Sequence, residues 1–188
     1  MISLYDTLNE SYKSNKDANR NLGGYMLDQD LSNDNHKVYY NKDKARGDRV
    51  LVSYRGTSNL NDIGTDAYLA LGKLRDTNRF KQSDEVLHKA KHKYNEENAI
   101  LAGHSLGNSL ARATAKKHDK VIGYNAGNGI FGNNFNTKTD NERSYRTGGD
   151  WISLLSNKKT KTLKNKNWFQ NALNNHTIEN IKHEKLFI

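Results

Sequence analysis

The chain has 188 residues, 34% of them hydrophobic, which is enough for one domain with its own core over residues 1–188. It contains no cysteine, so disulfides, thiolate metal sites and cysteine nucleophiles are excluded. The formal charge is +9, and residues 151–188 are especially lopsided, with seven Lys and no Arg against Glu179 and Glu184.

Such a balance suits an anionic partner, either nucleic acid or a lipid surface. No zinc-finger, RRM or basic-zipper pattern accompanies it, so nucleic acid is not the expected partner. No run approaches the roughly 18 apolar residues that span a bilayer. The start, MISLYDTLNESYK, lacks the basic segment and apolar block of a secretory signal. These features fit a cytoplasmic or virus-associated protein and do not locate it further.

In chain order, residues 2–14 read as a short amphipathic helix, with Ile2, Tyr5, Leu8 and Tyr12 at helical spacing. Three extended runs follow: Tyr25-Met26-Leu27, Lys37 to Tyr40 and Arg49 to Tyr54. Asn33-Asp34-Asn35 and Arg46-Gly47-Asp48 supply turn chemistry for an antiparallel meander. Ser83 to Tyr94 reads as a helix. Ala99 to Ala102 is a strand of the buried type, Ser105 to Lys117 a helix, Val121 to Tyr124 a strand and Arg143 to Thr147 another. Trp168–Leu173 and Ile178–Ile181 are short helical pieces. Strand–helix–strand with a tight first turn predicts a mostly parallel sheet. The expected class is therefore α/β, with an antiparallel beginning and helices on both faces.

Gly103-His104-Ser105-Leu106-Gly107 sits at the junction of strand and helix. Gly-x-Ser-x-Gly in that setting describes a nucleophile elbow, where small residues let a strained serine project from the sheet edge. A nucleophilic serine needs a base, a carboxylate to orient the base, and an oxyanion hole. With this elbow the order should be Ser, then Asp or Glu, then His. The acids after Ser105 are Asp119, Asp140, Glu142, Asp150, Glu179 and Glu184; the histidines are His118, His176 and His183. Asp150 follows a predicted strand and Gly148-Gly149, where a strand end would present it. Asp119 belongs to the opposite edge, and Asp140 and Glu142 to a polar loop. His176 stands on a loop before a helix that Thr177 can cap. His183 lies among charged neighbours, and His118 is about 20 Å away along the helix that starts at Ser105. Asp150 and His176 are the best-placed partners, with His183 the rival base.

Together these segments resemble the fungal-type (class 3) lipases. The carrying residues are LVSYRGTSNLNDIGTD, GHSLG with its following helix, YNAG, GGDWISLL and NHTIENI, in that order over about residues 36–181. The resemblance implies an α/β-hydrolase fold with a minimal lid, and hydrolysis of carboxylic esters of lipids through an acyl-enzyme. It assigns Ser105 as nucleophile, Asp150 as acid and His176 as base, with the backbone N–H groups of Thr57 and Leu106 as oxyanion donors. No metal or organic cofactor is needed. Two departures stand out. Asn108 replaces a second glycine where the helix start approaches the neighbouring backbone, so it needs room there, and the His-x-Gly-Phe segment before the preceding helix is absent. Ile63 to Leu74 reads either as a small apolar flap or as a helix packed on the sheet.

The segment 157–169 lies between the expected acid and base. Its Lys158, Lys159, Lys161, Lys164 and Lys166, beside Trp168 and Phe169, suit adsorption to an anionic membrane surface. A plain solvated loop is the alternative. The second functional reading is a catalytically altered hydrolase that serves as a basic membrane- or nucleic-acid-binding module.

Overall fold

A computed structural model describes residues 2–57, 74–126, 138–148, 160–163 and 177–188. Helix α1 (Leu4–Tyr12) is capped by Ser3, whose hydroxyl accepts from the Asp6 N–H at 3.0 Å. Strands β1 (Asn21–Leu22), β2 (Tyr25–Leu27), β3 (His36–Tyr40) and β4 (Val50–Tyr54) form the antiparallel meander. Then come α2 (Asn78–Tyr94), β5 (Ile100–Ser105), α3 (Leu106–Thr114), β6 (Lys120–Ala126), β7 (Asn141–Thr147) and β8 (Lys161–Leu163). The strands lie side by side in sequence order, and every pair from β4 to β8 is parallel.

Period-two alternation divides the core between the two faces. Val38, Val50, Val52, Leu101 and Val121 point to one face, where they pack with Val86, Leu87 and Ala90 of α2 and Leu110, Ala111 and Ala113 of α3. Tyr39, Leu51, Ile100, Ala102, Ile122 and Tyr124 point to the other, under Leu4 and Leu8 of α1 and Ile178 and Ile181 of a 3-10 turn. Helices on both faces of a mixed, largely parallel sheet make this an α/β-hydrolase-like fold.

Several boundaries differ from expectation for local reasons. Helix α2 begins at Asn78 because Thr77 caps it, accepting from the Phe80 N–H at 3.1 Å; the first turn is polar and hides this start. Helix α3 stops at Thr114, since Ala115 is extended. Strand β7 begins at Asn141, so Glu142 is in the strand rather than a loop. In α1 the buried stripe runs through Leu4, Leu8 and Ser11, leaving Tyr5 and Tyr12 at its margins. The expected helix 168–173 lies outside the described residues, as does 63–73 of the expected flap; Leu74 is buried in a 3-10 turn.

Close backbone approach sets α3 against the sheet. A Cβ on Gly107 would run into the Tyr54 carbonyl of β4, and one on Gly103 into the Gly107 carbonyl. The room that Asn108 requires comes from Gly123 of β6, whose missing Cβ is where the Asn108 amide lies. Asn108 is fully buried, and neither amide atom has a hydrogen-bond partner among the described residues.

That packing predicts a coupled pair. Gly123→Ala should destabilise the protein by about 1–3 kcal/mol through overpacking, and by much less in an Asn108→Ala background, as read by denaturant unfolding. Strictly additive effects would contradict it. A second prediction concerns His36, which is 4% exposed and donates from Nε2 to the Leu31 carbonyl at 3.1 Å. Burial pushes its pKa from 6.5 down to about 4, against the Leu31 bond and with help from Arg79 and Lys37. The unfolded chain therefore takes up a proton that the folded chain refuses. The stabilisation is complete above pH 6.5, declines as pH falls towards about 4, and levels off below. Across that window the wild type should lose on the order of 3 kcal/mol more than His36→Gln. Parallel curves for the two proteins would refute the assignment.

Candidate active site

Because β4 and β5 are parallel, with Tyr54 opposite Gly103, their C-terminal ends emerge together. Strand β5 ends at Ser105, which passes directly into α3 with φ 55° and ψ −124°. A non-glycine residue in that conformation costs about 1–3 kcal/mol and persists only where its surroundings impose it. The register against β6 slips at the same point, placing Ser105 opposite Ala126. The serine thus stands at the sheet edge, at the N-terminus of α3, where backbone N–H groups lack intrahelical partners and the helix dipole is positive.

Past the end of β4 the chain runs on as Arg55-Gly56-Thr57 alongside the serine. A Cβ on Gly56 would lie 3.4 Å from the Ser105 Cβ, and 2.5 Å from both the His104 carbonyl oxygen and the Tyr12 hydroxyl. Only glycine fits there. Thr57 comes next in the chain, and Leu106 follows Ser105 directly; both are half-buried. The two expected oxyanion segments therefore flank the expected nucleophile.

Supports for this arrangement come from elsewhere in the chain. The Tyr12 hydroxyl of α1 bonds His104 Nδ1 at 2.7 Å, and the Gly56 N–H lies against its oxygen. The Tyr12 oxygen thus lies between the Gly56 N–H and the His104 ring. Burial drives the Tyr12 phenol well above its usual pKa; the Gly56 N–H, Arg55 and Arg79 pull it back. The His104 ring stacks on Tyr124 at 5.7 Å between centroids. On the other side, Arg79 of α2 donates from Nη2 to the Arg55 carbonyl at 2.8 Å and from Nη1 to the Asn35 side chain. None of Tyr12, His104 or Arg79 was singled out for this role from sequence.

Further along the edge, Asn125 adopts φ 43° and its Oδ1 accepts from the Thr147 N–H at 2.9 Å, tying the end of β6 to the end of β7. Gly148 then donates to the Leu163 carbonyl at 2.9 Å. Asp150 and His176 lie outside the described residues. Their described neighbours are Gly148 and Thr177; Thr177 caps the final 3-10 turn as expected.

The rival acids and bases have other engagements. Asp119 is fully buried, paired with Lys91 at 2.6 Å, and accepts from the Ala99 and Lys116 N–H groups at 2.8 Å each. Glu142 pairs with Arg112 of α3 at 3.0 Å. Glu179 accepts from the Tyr5 hydroxyl at 2.8 Å. Asp140, Glu184, His118 and His183 are exposed. Lys161 is exposed on β8, so this part of the lysine-rich segment is an edge strand rather than a loop. Lys158, Lys159, Lys164, Lys166, Trp168 and Phe169 lie outside the described residues.

A family model described as "Phospholipase-like: Tle-like phospholipase domain" matches residues 5–184. A search of curated proteins finds no match. The match supports a phospholipase-like lipid-ester hydrolase and does not single out the fungal-type lipases. On nearly its whole length, then, the chain belongs to the Tle-like phospholipase domain family.

Proposed function

We propose that the protein is a serine hydrolase that cleaves the carboxylic esters of phospholipids through an acyl-enzyme. The observation that carries this reading is the left-handed backbone of Ser105 beside Gly56. Strain of that size has a purpose when it aims an Oγ at a substrate, and none in a module that only binds, so catalysis is favoured over the altered-hydrolase reading.

In the proposed mechanism His176 takes the Oγ proton as Ser105 attacks the ester carbonyl. The N–H groups of Thr57 and Leu106 hold the oxyanion, contributing roughly 3 kcal/mol per donor in the transition state. Collapse expels the alcohol, which leaves with the proton from His176, and water then hydrolyses the acyl-serine by the same route. Asp150 fixes the imidazole tautomer and stabilises the imidazolium.

Topology supports these partners. Asp150 follows β7 in the chain, and the C-terminal end of β7 lies two strands, about 10 Å, from that of β5. His176 precedes Thr177 and Ile178, and Ile178 packs in the same core as α1, the helix that carries Tyr12 to the elbow. Lys158, Lys159, Lys161, Lys164 and Lys166, with Trp168 and Phe169, would meet an anionic membrane surface.

Fatty-acid release from a short-chain phospholipid tests the reading. Ser105→Ala should lower kcat by roughly 10⁴-fold or more while leaving the unfolding midpoint within a few degrees of wild type. A folded Ser105→Ala protein that retains the wild-type rate would overturn it.

A further inference from the structure

Among the described residues, the guanidinium groups of Arg55 and Arg79 form no ion pair with a carboxylate. Arg79 bonds the Arg55 carbonyl and the Asn35 side chain, and its buried Nε has no partner among the described residues. Arg55 donates from Nη1 to the Asp34 carbonyl at 3.1 Å, and its guanidinium lies over the Tyr12 ring at 5.8 Å. Every one of these acceptors is neutral. Three shielded cations of the described chain have carboxylates, Lys91 with Asp119, Arg112 with Glu142 and Arg49 with Glu96, whereas the buried Lys37 donates to the Asn33 carbonyl.

The arrangement works against itself in the absence of an anion. Arg79 stands in the first turn of α2, a 17-residue helix with no acidic residue in that turn, so its charge meets the positive end of the helix dipole. Burial, followed by the charge of Arg55, lowers the Arg79 pKa. Shielded positive charges gathered without a partner are costly, and one anion between them would offset that cost. The place is informative too, because Arg55 is one residue from Gly56, which abuts Ser105.

We propose that Arg55 and Arg79 bind the phosphodiester of a phospholipid substrate while Ser105 attacks one of its acyl esters. The proposal rests on the serine-hydrolase reading for the second half of that statement, and on the arginines alone for the first. A phosphodiester offers one negative charge and two unesterified oxygens, which suit guanidinium donors in planar forks. The uncharged glycerides lack this group, so the arginine pair would select phospholipids over them.

The test compares two substrates with identical acyl chains, dihexanoyl phosphatidylglycerol and dihexanoylglycerol, on wild type, Arg55→Gln and Arg79→Lys. The ratio of kcat/KM for the phospholipid to that for the glyceride should fall about tenfold in Arg55→Gln, the loss expected for a charge-assisted hydrogen bond. Arg79→Lys keeps the charge but not the fork and should lie between. Titration calorimetry with sn-glycerol 3-phosphate and with inorganic phosphate should show binding to Ser105→Ala protein, weakened by adding Arg55→Gln. Tighter binding of glycerol phosphate than of inorganic phosphate identifies a lipid headgroup as the source; the reverse overturns that assignment. An unchanged substrate ratio, or anion binding indifferent to Arg55, overturns the proposal. If Ser105→Ala stays active, the serine reading fails, and calorimetry still decides the anion site.

Discussion

The functional edge depends on one constraint, the passage of the chain from β5 into α3 through a single residue, Ser105, at φ 55°. That conformation is unfavourable by itself. It is held because both sides of it are anchored: β5 is buried along its length, and α3 buries Leu110 and Ala111 completely against the sheet. Burial of a leucine contributes about 2 kcal/mol, the same order as the strain. The helix can come this close only because Gly107 meets the Tyr54 carbonyl and Gly123 makes way for Asn108. The strained serine is therefore a consequence of packing distributed over three strands and a helix.

The same packing couples the serine to the loop after β4. Gly56 lies between the His104 carbonyl, the Tyr12 hydroxyl and the Ser105 side chain, so a shift of one would move the others. Tyr12 brings α1 into the arrangement from one face of the sheet, and Arg79 brings α2 from the other. Elements from both faces meet at the edge where the proposed chemistry takes place. This gives the short N-terminal helix a task beyond covering the core, and it explains the half-buried tyrosine at its last position.

Much of the fold was legible because the strands of the central sheet carry strong local patterns. VLVSY and ILAGHS are apolar runs bounded by polar turns, and GHSLG marks the junction with α3. What escaped notice was set by distant contacts. Strands β1 and β8 are two and three residues long, and exist only because a neighbour offers a ladder edge. Asn108 departs from the motif locally, and its space is held by Gly123, fifteen residues on. Tyr12 meets His104 across 92 residues of sequence, and nothing local marks the pair. Arg79 falls in the segment NRFKQSD, whose lack of a His-x-Gly-Phe motif is a local absence; the arginine's bond to the Arg55 carbonyl is a tertiary fact. Ser105, Thr57 and Leu106 stand out in the sequence because they sit next to the motif glycines, and the structure places Thr57 and Leu106 next to Gly56 and Ser105 at the ends of β4 and β5. Asp150 and His176 rest on chain order and on the described residues that flank them.

The central claim is that Ser105 is an activated nucleophile. Reaction with a fluorophosphonate, followed by peptide mass mapping, tests it most directly. The account predicts one stoichiometric adduct on Ser105 in the folded protein and none after denaturation, when the elbow and oxyanion donors are dispersed. A folded protein that stays unlabelled at Ser105, or is labelled at another serine instead, would contradict it.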